Sequence, residues 1–141
     1  MIALDTNVMS ELIRPAPSPK VVAWMGSLPG DNVYTTAICE AEILFGVALL
    51  PEGRRKAALA RAVTALFSQV FMGRVLPFDR DAAAAFADLA AKRRVSGVVV
   101  GQMDTQIAAI ALSRKVRLLA TRNVSHFADC RIPVVNPWES G

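Results

Sequence analysis

Short apolar blocks alternate along the chain with longer stretches of helical period, and the two rhythms mark out strands and helices in turn. Ile2-Ala3-Leu4 is an apolar block closed by Asp5-Thr6-Asn7, residues that favour turns and caps, and a short helix to Ile13 is expected to follow. Ser18-Pro19 sets a cap residue before a proline, and Val21, Trp24, Met25 and Leu28 then keep helical spacing until Pro29-Gly30. Val33-Tyr34-Thr35-Thr36 is β-branched and aromatic and reads as a strand, and Ala37 to Leu50 reads as a helix stopped by Pro51. From Glu52 one long helix is expected to about Phe71, burying Leu59, Val63, Leu66, Phe67 and Val70, before Gly73 ends it and Val75 to Phe78 forms a third strand. Asp79 caps an Ala-rich helix that closes on Lys92-Arg93-Arg94 and Gly97. A helix over Gly101–Lys115, a strand over Val116–Thr121 and a last strand at Ile132–Val135 complete the series, while Val98-Val99-Val100 stays ambiguous. Strands separated by helices require crossover connections, so the chain is expected to be α/β, with a mainly parallel sheet covered by helices on both faces.

Composition narrows the class. A chain of 141 residues with 53% hydrophobic content suits one globular domain spanning 1–141 and excludes intrinsic disorder. No apolar run approaches the ~18 residues of a membrane span, and Asp5 behind a four-residue start excludes a secretory leader, so a soluble cytoplasmic protein is expected. Cys39 and Cys130 lack metal-site spacing and read as buried thiols of a reducing compartment. The net charge of +4 is unevenly spread: residues 53–122 hold 13 basic against 4 acidic side chains, whereas residues 1–52 hold 2 against 6. The middle of the chain is therefore suited to a polyanion.

Ligands of open parallel sheets bind beyond the carboxyl ends of the strands. Asp5 and Asn123 each follow a strand, and Glu42 and Asp104 lie early in helices that begin at the same edge, so three carboxylates and one amide are expected to converge. Asp104 is the most telling, because Ile107, Ala108 and Ala111 follow at i+3, i+4 and i+7 and put it on an apolar stripe. An unpaired charge there costs several kcal/mol unless a cap, a basic group or a metal compensates. Glu42 sits among Ala41, Ile43, Leu44 and Phe45, and Gly46 one turn later leaves room for an approaching group. With His126 as the lone histidine, an all-carboxylate cluster selects a hard cation, Mg²⁺ or Mn²⁺, and the matching chemistry is hydrolysis of a nucleic-acid phosphodiester. Each residue also has a plainer reading: Asp5 as a helix cap, Glu42 as an ordinary helical glutamate, Asp104 as a dipole partner, and Asn123 as a turn former. Thr6 and Thr121 either shape the turns or offer a hydroxyl to the site. Arg122 and His126 read as surface loop residues, Lys92-Arg93-Arg94 as a charge cluster at a helix C-terminus, and Arg54-Arg55-Lys56 as a solvated face.

The opening MIALDTNVMSEL, the segment TTAICEAEILFGV, the stretch MDTQIAAIAL and the run LLATRNVSHF before VVNPW together resemble a PIN-domain ribonuclease of the VapC/FitB type, over nearly the whole chain. The resemblance implies an α/β/α sandwich around a roughly five-stranded sheet and a Mg²⁺- or Mn²⁺-dependent endoribonuclease acting on an RNA substrate. It further implies a toxin whose cognate antitoxin blocks the site with its C-terminal segment, and a homodimer. It matches Asp5, Glu42 and Asp104 to the family acids and Thr6 to the hydroxyl residue beside the first of them. Asn123 stands where many relatives carry a fourth acid, which removes one charge and leaves one-ion chemistry intact. Two other readings compete. A phosphoaccepting receiver is disfavoured because Asn7, not a second acid, lies two positions after Asp5. A non-catalytic scaffold that only binds RNA or a partner is disfavoured by the intact acid set.

Overall fold

The computed structural model describes residues 1–140. Five strands form one sheet: β1 (Ile2–Leu4), β2 (Val33–Thr36), β3 (Val75–Leu76), β4 (Leu118–Ala120) and β5 (Val134–Val135), in the order β3-β2-β1-β4-β5 with every pairing parallel. Six helices connect them: α1 (Thr6–Leu12), α2 (Pro19–Gly26), α3 (Ala37–Ala48), α4 (Arg54–Ala65), α5 (Arg80–Ser96) and α6 (Gln102–Ser113). The fold is the expected α/β arrangement. Its first half builds outward from β1 through β2 to β3, and its second half restarts on the other side of β1 with β4. The direction of winding thus changes between β1 and β4, the position where open α/β sheets bind ligands.

Side chains that alternate along the strands feed two cores. Ala3 and Leu119 face one layer, packed by Leu89 of α5 and by Ile107, Ala108 and Ala111 of α6. Leu4 and Ala120 face the other, with Val8 and Met9 of α1, Val21 of α2, Ile43 and Val47 of α3 and Val63 of α4. Central strands buried on both faces are what a fully covered parallel sheet demands. Local chemistry sets the helix starts: Asp5, Thr36 and Asp79 each cap a helix by accepting a backbone N–H, from Thr6, Cys39 and Ala82 respectively. Gly97 ends α5 in the left-handed region at φ 75°, where a side chain would be strained. Among the described residues no helix is long and apolar enough to cross a membrane.

Several expectations are corrected in detail. The long helix from Glu52 is instead α4 followed by a π-helical turn at Leu66–Val70, and the wider turn rotates Val70 out into solvent while Leu66 stays buried. The last strands are shorter than the apolar runs that announced them. Val98–Val100 form neither helix nor strand. Cys39 and Cys130 are buried as free thiols, both pushed up to about 11 by desolvation.

Burial in the sheet sets the stability scale. Leu119→Ala, in β4 and fully buried, is expected to cost about 2–5 kcal/mol by urea denaturation, whereas Leu49→Ala, 68% exposed after α3, should change stability by less than ~0.5 kcal/mol.

Candidate functional site

Asp5 leaves the end of β1 with its N–H still bonded to the Ala120 carbonyl of β4 at 2.9 Å, so the sheet itself places the side chain over the β1/β4 seam. It is 2% exposed. Its Oδ1 accepts the Thr6 N–H at 2.8 Å, and its Oδ2 accepts the Thr121 hydroxyl at 2.6 Å and the Asn7 amide at 3.3 Å. Thr121, fully buried just after β4, also accepts the Asn123 N–H at 3.0 Å. The Asn7 side chain ties this turn to the first one, with its Oδ1 accepting the Arg122 N–H at 3.1 Å.

Glu42 lies in the second turn of α3, and its Oε1 accepts the Thr6 hydroxyl at 2.7 Å. Thr6 therefore bridges two of the three expected acids through one residue, its N–H to Asp5 and its hydroxyl to Glu42. Asp104 opens α6, partly exposed, and its Oδ2 stands 2.5 Å from His126 Nδ1. Burial pushes the Asp5 carboxyl up to about 6, against the hydrogen bonds from Thr121 and Thr6, which lower it; the Asp104 and Glu42 charges add to the rise. Asp5 thus senses the charges of both other acids. Among the described residues, no Lys or Arg forms an ion pair with any of them.

Asp5, Glu42, Thr6 and Thr121 are joined by this hydrogen-bond chain, and Asn123 joins it through its backbone while its side chain is at the surface. Among the described residues, no group of three His, Cys, Asp or Glu side chains is gathered tightly enough to hold a metal ion. Asp104 is engaged by His126 and Glu42 by Thr6. Three residues gain roles that the sequence reading missed. Asn7, read as a turn former, links Asp5 to Thr121. His126, read as a surface residue, contacts Asp104. Arg93, read only as part of a charge cluster at a helix C-terminus, is 3% exposed and bonded to Asp129, Thr105 and the His126 carbonyl. The chain's one imidazole beside the acid-bearing helix was the available signal for His126.

A groove of about 540 Å³ opens from the site between α1, α3 and α4. Its walls include Ile13, Ile43, Val47 and Leu59, with Arg14 and Arg55 among its polar residues and Thr6 and Glu42 at the acid end. On the other flank, the Arg122 guanidinium stacks over the Trp138 ring at 4.1 Å.

The raised Asp5 pKa has a thermodynamic sign. An acid whose folded-state pKa is raised weakens folding as pH climbs above its unfolded value of 3.8, so the loss grows from about pH 4 and levels off at ~3 kcal/mol above about 6. In EDTA, Asp5→Asn is therefore expected to stabilise the protein at pH 8 by ~1–3 kcal/mol, with roughly half that gain at pH 5. Urea midpoints at the two pH values measure it; equal midpoints for variant and parent would contradict the burial argument.

The model of the PIN domain family matches residues 2–130. VapC ribonuclease Y4jK of Sinorhizobium fredii is 40% identical over 139 residues, covering 99% of each chain. Toxin FitB of Neisseria gonorrhoeae is 41% identical over 138 residues, covering 98% of this chain and 99% of FitB. The crystal structure of FitAcB from Neisseria gonorrhoeae superposes with a TM-score of 0.88 at 39% identity, covering 99% of this chain and 100% of that one. The family model matches most of the chain and the relatives align with it over nearly its full length, so the chain belongs to the PIN-domain family, alongside VapC and FitB.

Proposed function

We propose that the chain is a Mg²⁺- or Mn²⁺-dependent endoribonuclease and the toxin of a toxin–antitoxin pair. Asp5, Glu42 and Asp104 are its ion-holding and catalytic carboxylates, and Thr6, Thr121 and Asn123 support them. The observation that carries this reading is the buried Asp5 carboxyl, raised to about 6 in the company of two further acids and with no Lys or Arg paired to the set. Such a cluster is costly for folding alone, and a cation offsets the cost. The donors suit a hard ion: they are carboxylates and hydroxyls, and the buried Cys39 thiol stays protonated and supplies no competing thiolate.

When bound, a divalent ion supplies Lewis acidity toward a phosphodiester and makes a neighbouring water a better nucleophile. The chain's own residues prepare for this. Thr121 and Thr6 fix the Asp5 carboxylate from opposite sides, so little reorganisation is needed when charge arrives. The Thr6 hydroxyl fixes Glu42 by the same logic. Arg122, beside Asn123 and braced on Trp138, and Arg55, on the groove side of Glu42, are placed to meet RNA phosphates on either flank. The apolar groove suits the C-terminal segment of an antitoxin, and a cation carried by that segment would reach Glu42 in place of the metal charge. Relatives named as a ribonuclease and as a toxin support both halves of the reading. A homodimer is the assembly the family resemblance implies.

Purified protein with Mn²⁺ is expected to cut single-stranded RNA, with Asp5→Asn and Asp104→Asn each lowering kcat by about 100-fold or more while the fold is retained. Cleavage that survives both substitutions would refute the assignment. Ion binding must also displace the Asp5 proton, so Mn²⁺ affinity by calorimetry is expected to fall about tenfold per pH unit below pH ~6 and to level off above it.

A further inference from the structure

Beneath the acid edge lies a buried cation with no part in the chemistry described so far. Arg93, near the end of α5, is 3% exposed, and its guanidinium is fully engaged. Nε and Nη2 form a fork on the two carboxylate oxygens of Asp129 at 2.9 and 2.8 Å. Nη1 donates to the Thr105 hydroxyl at 2.8 Å, and Nη2 donates to the His126 carbonyl at 2.7 Å and to Cys130 Sγ at 3.2 Å. The fork raises the Arg93 pKa further and holds Asp129 below the usual carboxylate range.

A buried ion pair is a poor source of stability, because desolvation consumes most of the Coulombic gain. Its placement here supplies geometry. Thr105 is the residue after Asp104 on α6, and the His126 carbonyl belongs to the 3-10 turn that carries the ring. One guanidinium therefore bonds the Thr105 hydroxyl on one side of the Asp104–His126 contact and the His126 main chain on the other. A carboxylate has no proton to give, so the 2.5 Å contact is a ring N–H donated to Asp104 Oδ2, leaving Oδ1 free of this bond.

We propose that Arg93 is a positioning residue for Asp104: it fixes the His126 main chain and the Thr105 hydroxyl, and the imidazole so fixed orients the Asp104 carboxylate toward the site. The inference rests on the reading of Asp104 as an ion-holding carboxylate. Partners that orient a ligating carboxylate from outside typically govern metal affinity by 10- to 100-fold.

Two measurements on the untagged full chain test it. His126 is the chain's only histidine, so its ring signals in the nuclear magnetic resonance spectrum stand alone. In EDTA, the parent is expected to show a hydrogen-bonded Nδ1 proton at low field, lost in Asp104→Asn and also in Arg93→Lys, which keeps the charge but not the fork. If Arg93→Lys does not fold, Asp129→Asn loosens the same fork from its more exposed side and reads the same signal. A low-field proton that persists when the fork is broken overturns the proposal. By calorimetry, His126→Ala is expected to bind Mn²⁺ about 10- to 100-fold more weakly than the parent while keeping its circular dichroism and melting transition. Unchanged or tighter Mn²⁺ binding overturns the positioning role. A parent chain that takes up no Mn²⁺ sinks the nuclease reading instead, and the ring proton then decides the positioning geometry alone.

Discussion

Burial of the Asp5 carboxyl at the seam between β1 and β4 is the constraint around which the rest of the site is arranged. The strand ends there, the sheet's winding reverses there, and the backbone N–H of Asp5 is still held by Ala120. A charge in that position loses its water, and hydrogen bonds from Thr121, Thr6 and Asn7 recover part of the loss. Two more acids nearby increase the cost. Three donors and no Lys or Arg partner leave a buried carboxylate that is tolerated by the fold at a cost, a recurring compromise between stability and function.

The surrounding scaffold separates charges that build the fold from charges that face outward. Four of the thirteen basic side chains in the middle of the chain are engaged within the fold. Arg93 is locked on Asp129, Arg114 pairs with Asp79 at 2.7 Å, Lys56 pairs with Glu52 at 2.8 Å, and Arg74 donates to the Gly30 and Val70 carbonyls. The positive charge available to a polyanion is therefore smaller than composition implies. Arg55 lines the groove that also holds Glu42, and Arg122 is stacked on Trp138.

Much of this architecture is legible in the sequence, for identifiable reasons. The strand and helix order follows from apolar rhythm because a doubly covered parallel sheet leaves long, regular hydrophobic signatures. Asp104 stands out because a carboxylate on an apolar stripe contradicts its neighbours, and Asp5 and Asn123 stand out because each follows a strand at the same edge. What escapes is pairing between distant positions. Arg93 ends a helix in a run of three bases, where the dipole accounts for the charge, and nothing local reveals an aspartate 36 residues later. His126 sits in a short turn without periodicity, so its contact with Asp104 exists only in the folded chain. The π-turn that exposes Val70 arises from packing, and a period of 3.6 cannot announce it. Asn123 is linked to the site through its backbone, which a side-chain pattern does not record.

The most direct measurement is the anomalous difference density of Mn²⁺ in a crystal of the chain grown near pH 7.5. The electrostatics described here predict a peak bonded to the Asp5 carboxylate, with Asp104 and Glu42 completing or facing its coordination shell. A peak absent from the β1/β4 edge, or one that leaves Asp5 without an ion at saturating Mn²⁺, would contradict it.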